Sequence, residues 1–182
     1  MLETTEQDFI VLLQQPDTQQ EAFKQLVKQY QERLYWHIRR MLLNHDDTDD
    51  VLQNTFIKVF RSISKFKGDS KLYTWMYRIA TNESISFLNS KAQKMKISTS
   101  EIKDQMIDNL RADVYFEGTE IQLKLQKAIA TLPEKQQLVF NMKYFQELKY
   151  DEISEILETS VGALKASYHI ATKKIETYLT ST

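Results

Sequence analysis

The sequence predicts an all-α protein of two small helical domains joined by a flexible linker, and three observations carry that prediction. Only three Gly and two Pro occur among 182 residues, too few for a turn-rich β architecture. Apolar residues recur at spacings of three and four along most of the chain, the period of an amphipathic helix. That periodicity lapses across residues 89–119 and then resumes. Composition agrees, since 42% hydrophobic and 27% charged residues describe a globular chain and not a disordered one.

In the first domain, residues 1–90, segments 5–15 and 19–43 read as amphipathic helices. In the second of these, Phe23, Leu26, Val27, Tyr30, Leu34, Ile38, Met41 and Leu42 keep the helical spacing. The polar run NHDDTDD follows, with Asp46 or Thr48 as the cap of a helix over 49–63. Its apolar positions are Val51, Leu52, Thr55, Phe56, Val59, Phe60 and Ile63. A KGDS turn leads into a fourth helix from Tyr73 to Leu88. Residues 91–119 are polar, mixed in charge and weakly periodic, which reads as the linker, with a short helix near 101–110. The second domain, 120–182, opens with a helix using Ile121, Leu125, Ala128 and Ile129. Pro133 sits where a helix start tolerates proline, and Leu138, Val139, Met142 and Phe145 mark the next helix. YDEISEIL and a final helix over 161–179, joined only by Glu158-Thr159-Ser160, form a helix-turn-helix unit.

Bulk properties narrow the function classes. No cysteine is present, so disulfides and Cys-held metals are excluded and a reducing compartment fits. No apolar run approaches 18 residues and no basic-then-apolar N-terminus occurs, so neither a membrane span nor a signal peptide is expected and the cytoplasm is. A formal net charge of −1 hides strong segregation. Residues 1–55 hold five Lys/Arg against ten Asp/Glu, residues 56–96 nine against two, residues 97–119 two against five, and residues 120–182 eight of each. A block of +7 behind one of −5 is an electrostatic footprint for a polyanion on one part of the surface. His37, His45 and His169 are too scattered for a metal site. Nothing resembles a catalytic triad, a glycine-rich phosphate loop or a catalytic carboxylate pair, so neither an enzyme nor a cofactor is expected.

Three motifs carry chemistry. In the helix-turn-helix, Val161, Leu164, Tyr168, Ala171 and Ile175 share the inward face. The outward face offers Gly162, Ala163, Lys165, Ala166, His169 and Lys173. Small residues let the backbone approach closely, Lys165 and His169 reach base edges or phosphates, and Lys173 and Lys174 suit the backbone. The alternative is a plain helical hairpin with a solvated face. In FKGDSKLYTWMYRIATN, Phe66 and Tyr73 flank a Gly68-Asp69-Ser70 turn amid Lys65, Lys67 and Lys71, followed by Trp75, Arg78 and Asn82. A buried core needs no lysines and a solvated loop needs no rings, whereas unpaired bases beside a phosphate backbone use both. In DDVLQNTFIKVF, Asp49, Asp50, Gln53 and Asn54 form an acidic, amide-rich strip that is either a solvated face or a dock for a basic protein helix.

The run DDVLQNTFIKVFRSISKFKGDSKLYTWMYRIATN closely resembles region 2 of the extracytoplasmic-function (ECF) sigma factors of the sigma-70 family, and LPEKQQLVFNMKYFQELKYDEISEILETSVGALKASYHIATKKIE resembles their region 4. The resemblance implies a transcription initiation factor whose partners are core RNA polymerase and promoter DNA, duplex at the −35 element and single-stranded at the −10 element. It adds an anti-sigma factor as a further partner. Asp50, Gln53, Asn54 and Phe56, with Asp49 beside them, match the segment that docks on the polymerase clamp helices. Phe66 through Lys71 with Lys65 and Tyr73 match the loop that captures a flipped −10 base, and Trp75, Arg78 and Asn82 match the helix at the upstream edge of the melted region. Lys165, Ser167 and His169 match the −35 reading helix. Asn54 stands where the family usually has Glu, and Ala163, Ala166, Ser167, Ile170 and Thr172 replace residues that are often Thr, Ser or Arg. Two other classes compete. A stand-alone helix-turn-helix regulator leaves the ring-lysine loop idle, and a protein-binding helical adaptor leaves the basic block unexplained.

Overall fold

The computed structural model describes residues 5–110, 113 and 118–181. Among them are nine α-helices and no strand, in agreement with the all-α expectation. α1 (Glu6–Gln14) opens on a capping box in which Thr5 accepts from the Asp8 N–H and Asp8 accepts from the Thr5 N–H, both at 3.2 Å. α2 (Gln19–Leu42) ends on Leu43 at φ 56°. α3 (His45–Ser62) starts four residues before the predicted boundary, because Asn44 is the cap and accepts from the Asp47 N–H at 2.8 Å. Asp46 and Asp47 then sit in the first turn, where the helix dipole favours carboxylates. A 3-10 turn (Ile63–Lys65) leads through the Gly68 loop to α4 (Leu72–Met95).

α4 runs past the predicted end at Leu88 and past the expected domain boundary at residue 90. The stretch expected as a linker contains α5 (Thr99–Leu110), which buries Ile102, Met106, Ile107 and Leu110. A helix near 101–110 was anticipated, but its apolar stripe is diluted by charges. The rest of the expected flexible linker includes residues 111, 112 and 114–117, which lie outside the described residues. Asp113 is held by Arg39 of α2 in a buried pair at 2.5 Å.

α6 (Glu120–Ala130), α7 (Glu134–Phe140), a π-helical turn (Asn141–Phe145), α8 (Tyr150–Leu157) and α9 (Val161–Thr180) complete the chain. A small core of Ala128, Ile129, Leu132, Phe140, Ala171 and Ile175 joins α6, α7 and α9. The other face of this C-terminal half adds Leu138, Val139, Met142, Ile153, Ile156 and Leu164 to the core of the N-terminal bundle. The two halves are therefore packed against each other through α4 and α8.

A buried polar chain crosses the same boundary. Gln146 Nε2 lies 2.8 Å from His37 Nδ1, His37 Nε2 lies 2.8 Å from Thr81 Oγ1, and Thr81 donates to the Tyr77 carbonyl at 2.7 Å. Each of these bonds has a donor and an acceptor if His37 is neutral with its proton on Nε2, while Gln146 Oε1 has no partner among the described residues. Burial, with Arg40 nearby, pushes His37 down from 6.5 to about 3. Between those values the unfolded chain binds the proton and the folded chain does not, so stability is complete above about pH 6.5 and falls as pH drops towards 3. The melting temperature of the protein is expected to fall from pH 7 to pH 5. The slope from this residue is at most about 1.4 kcal/mol per pH unit, and His37→Gln is expected to flatten it in a pH series of thermal melts.

Candidate nucleic-acid interface

The loop between the 3-10 turn and α4 is shaped by three restraints from its surroundings. Gln14 Nε2 of α1 donates to the Ile63 and Phe66 carbonyls at 2.9 and 2.8 Å. Glu6 of α1 accepts from the Leu72 N–H at 3.2 Å, supplying a cap for α4 from a distant helix. Gly68 takes φ 75°, a conformation that side chains with a Cβ rarely adopt.

So held, the loop and the first turns of α4 enclose a cleft of about 410 Å³ lined by Lys65, Phe66, Lys67, Asp69, Ser70, Thr74, Trp75, Arg78 and Glu155. That volume is in the range of pockets that take a small ligand. Phe66 is only 9% exposed, with its ring centroid 4.9 Å from that of Trp75, so the two rings make a wall and not a free platform. Lys65 and Lys67 are exposed at the rim. Thr74, which the sequence reading passed over, is almost fully buried at the back, and its hydroxyl has no hydrogen-bond partner among the described residues. Its one sequence signal is its place one residue from Trp75 and four from Arg78 on the helical wheel.

The structure divides the predicted single-strand residues between two faces. Lys71 and Tyr73 turn away from the cleft towards α8, where Lys71 Nζ donates to Glu152 at 3.0 Å and the Tyr73 hydroxyl donates to the same carboxylate. Arg33 lies 5.2 Å above the Tyr73 ring. Burial raises the pKa of Glu152, but hydrogen bonds from Tyr73, the Lys149 N–H and Lys71 outweigh it and the net direction is down. The Tyr73 phenol is pushed up by burial and by Glu152, and Lys71 is raised by its bond to Glu152. Arg78 pairs with Glu158. Asn82 is exposed and borders a second cleft, of about 240 Å³, shared with Arg78 and with Ser167 of α9.

On α3, Asp49, Asp50, Gln53 and Asn54 are all exposed, as expected of a strip. Phe56, an apolar position of α3 in the sequence, faces inward. It is 9% exposed and packs edge-on against Phe23 with centroids 6.2 Å apart, so it belongs to the bundle core. The exposed apolar side chain beside the strip is Ile57, 41% exposed, at helical spacing from Gln53 and Asn54. On α9, Lys165, His169, Lys173 and Lys174 are exposed, while Ser167 is half-buried towards α4. A Cβ at Gly162 would meet nothing within 4 Å, so the helix start is open to close approach. Leu164, Ala171 and Ile175 are buried, and Tyr168 stacks on Phe140 at 5.9 Å, confirming the inward face.

The chain matches the family model described as Sigma-70 region 2 over residues 26–94 and that of Sigma-70, region 4 over residues 122–175. It belongs to the ECF sigma factors of the sigma-70 family. It is 34% identical to the ECF RNA polymerase sigma factor SigW of Bacillus subtilis, over 82% of this chain and 84% of that one. It is 29% identical to the ECF RNA polymerase sigma-E factor of Haemophilus influenzae, over 94% of each. The fold is similar to that of CnrH, solved in complex with the cytosolic domain of CnrY, with a TM-score of 0.68 and 22% identity over 96% of this chain and 97% of that one. It is also similar to the sigma factor RpoE solved with the anti-sigma factor NepR from Bartonella quintana, with a TM-score of 0.67 and 18% identity over 86% and 96%. No helix among the described residues is long and apolar enough to cross a membrane.

The restraint from α1 is open to direct measurement. Gln14→Ala is expected to lower stability by about 1–3 kcal/mol, because two partly buried carbonyls lose their donor. Trypsin is expected to cut first at Lys65, Lys67 or Lys71 in that variant, and a denaturant melt with timed proteolysis checks both outcomes.

Proposed function

We propose that this chain directs core RNA polymerase to promoters and begins strand separation there by trapping an extruded base, with no catalysis of its own and in the cytoplasm. The observation that carries the reading is the cleft walled by Phe66 and Trp75 and rimmed by Lys65, Lys67 and Arg78. Its aromatic wall suits a planar base, and its lysines suit the phosphates on either side. Extruding a base costs a few kcal/mol of stacking, and an aromatic wall returns about 1–3 kcal/mol per base. The exchange is nearly balanced, so duplex opening is a trapping event that needs no nucleotide hydrolysis.

The other contacts take supporting roles in this reading. The α3 strip of Asp49, Asp50, Gln53 and Asn54, with Ile57 in place of Phe56, is the dock for the polymerase. The α9 face of Lys165, His169, Lys173 and Lys174, with Ser167 at its edge, lies along the −35 duplex. Four basic or titratable groups make a weak duplex contact alone, so promoter affinity comes from two modest sites held on one enzyme. An anti-sigma factor is a further partner in this reading, supported by the likeness to RpoE, whose structure was solved with NepR.

Two variants separate the sites. Lys65→Ala/Lys67→Ala removes exposed cations without touching the core. It is expected to cut open-complex formation at least tenfold while core polymerase binding stays within twofold of wild type. Asp50→Lys is expected to do the reverse, losing polymerase binding in a pull-down. Absence of promoter-specific transcript from the wild type with core polymerase on any genomic template would overturn the reading.

A further inference from the structure

We infer that His45 is a positioning residue of the polymerase dock, which with Tyr35 holds the Asp49 carboxylate of the α3 strip in one orientation. This rests on the reading of that strip as the dock for core RNA polymerase given above. His45 is the first residue of α3, and Asp49 follows it by one helical turn on the same face. The Tyr35 hydroxyl of α2 lies 2.7 Å from His45 Nδ1, and His45 Nε2 lies 3.3 Å from Asp49 Oδ2. The ring therefore has a neighbour at each nitrogen, one from α2 and one from α3.

The direction of this relay follows from what each group can give. A carboxylate only accepts, so the nitrogen facing Asp49 serves it by carrying a proton. In the neutral ring the other nitrogen is then bare and takes the proton of the Tyr35 hydroxyl. Burial pushes the Tyr35 phenol up, with Arg39 pulling the other way, so the hydroxyl keeps that proton to give. The Arg39 guanidinium beside it only donates, so it does not compete for the same proton. Packing fixes the Tyr35 end. Its ring meets those of Trp36 and His45 edge-on, with centroids 5.4 and 5.8 Å away, and Arg39 is locked to Asp113 in the buried pair. Tyr35 and His45 are half-buried, whereas Asp49 is exposed. A fixed inner arm thus steers an outward carboxylate. An exposed side chain already held in one rotamer loses less freedom on meeting a partner, and that is what His45 contributes.

The test measures the affinity of the full chain for core RNA polymerase by titrating dye-labelled protein. D49A is expected to weaken binding about fivefold, as the loss of a charge that meets a basic partner. H45A is expected to weaken it about threefold, as the loss of one side chain's preorganisation. In the D49A background H45A is expected to add almost nothing, since the two residues act as one. H45Q is expected to bind nearly as the wild type does, because one amide can accept from Tyr35 and donate to Asp49. The chain holds three histidines, so nitrogen-15 spectra of the imidazoles in mildly alkaline buffer read the tautomer directly. His45 is expected with its proton on Nε2, and Y35F is expected to mix the two tautomers. A proton on Nδ1 in the wild type overturns the relay, as does H45A binding as tightly as the wild type. An H45A loss that persists in full beside D49A also overturns it, since His45 then acts on the fold and not on Asp49. D50K keeps the two readings apart. If D50K and D49A both bind polymerase as the wild type does, the dock reading beneath fails. If D50K weakens binding while D49A or H45A does not, only the role of His45 falls.

Discussion

The whole molecule depends on one helix being buried on most of its circumference. Leu72, Met76, Ala80, Ser84, Leu88 and Ala92 of α4 form one inward row at spacing four, and Thr74, Tyr77 and Thr81 form a second beside it. The first half of the chain packs on these rows, and α8 packs on what remains. Polar residues in the rows are tolerated because Thr81 and Ser84 return their hydroxyls to the Tyr77 and Ala80 carbonyls at 2.7 and 2.8 Å. What is left for chemistry is a narrow stripe of Trp75, Arg78 and Asn82. Any change that rotates α4 misplaces the core and the site together, so the site inherits the rigidity of the bundle.

That double burial also explains what could be read from the sequence. α2 and the helix-turn-helix alternate apolar and polar residues with the helical period, and both were legible. α4 was legible as a helix but not as one buried on several sides, because its rows contain Thr, Ser and Ala that look neutral on a wheel. Phe56 was legible as an apolar position of α3 from its spacing, and its packing edge-on against Phe23 agrees; only the family resemblance put it with the strip. The basic loop was legible as a nucleic-acid site from its rings and lysines, yet the split between cleft and α8 face was not. Tyr73 and Trp75 are two residues apart, which on a helix is nearly opposite sides, while their nearness in sequence suggested one surface. The carboxylates of α8 were visible as residues, but their partners lie 79 to 81 positions away, and no local pattern announces such a pairing.

Charge segregation takes on a different meaning in this light. The block at residues 56–96 carries nine cations against two anions, which is unfavourable to fold without a counter-charge nearby. Glu152 and Glu158 supply one to Lys71 and Arg78, and Lys58 and Lys91 find Glu83 and Asp47 within the bundle. Exposed ion pairs of this kind contribute little each and weaken with salt. The apolar seam of Ile153, Ile156 and Leu164 on the bundle is therefore the larger part of the contact between the two halves. The ion pairs choose its register, and the apolar seam holds it.

The surfaces proposed for the two partners lie apart on the bundle. Asp50, Gln53, Asn54 and Ile57 are exposed on α3, while Lys65, Lys67, Lys71 and Arg78 are exposed around the loop and the start of α4. Acidic and basic groups are thus carried on different helices of one rigid bundle, so each surface keeps its own sign of charge. On the proposed reading, polymerase and promoter DNA are then bound side by side without competing for the same groups, and two modest contacts act together on one enzyme.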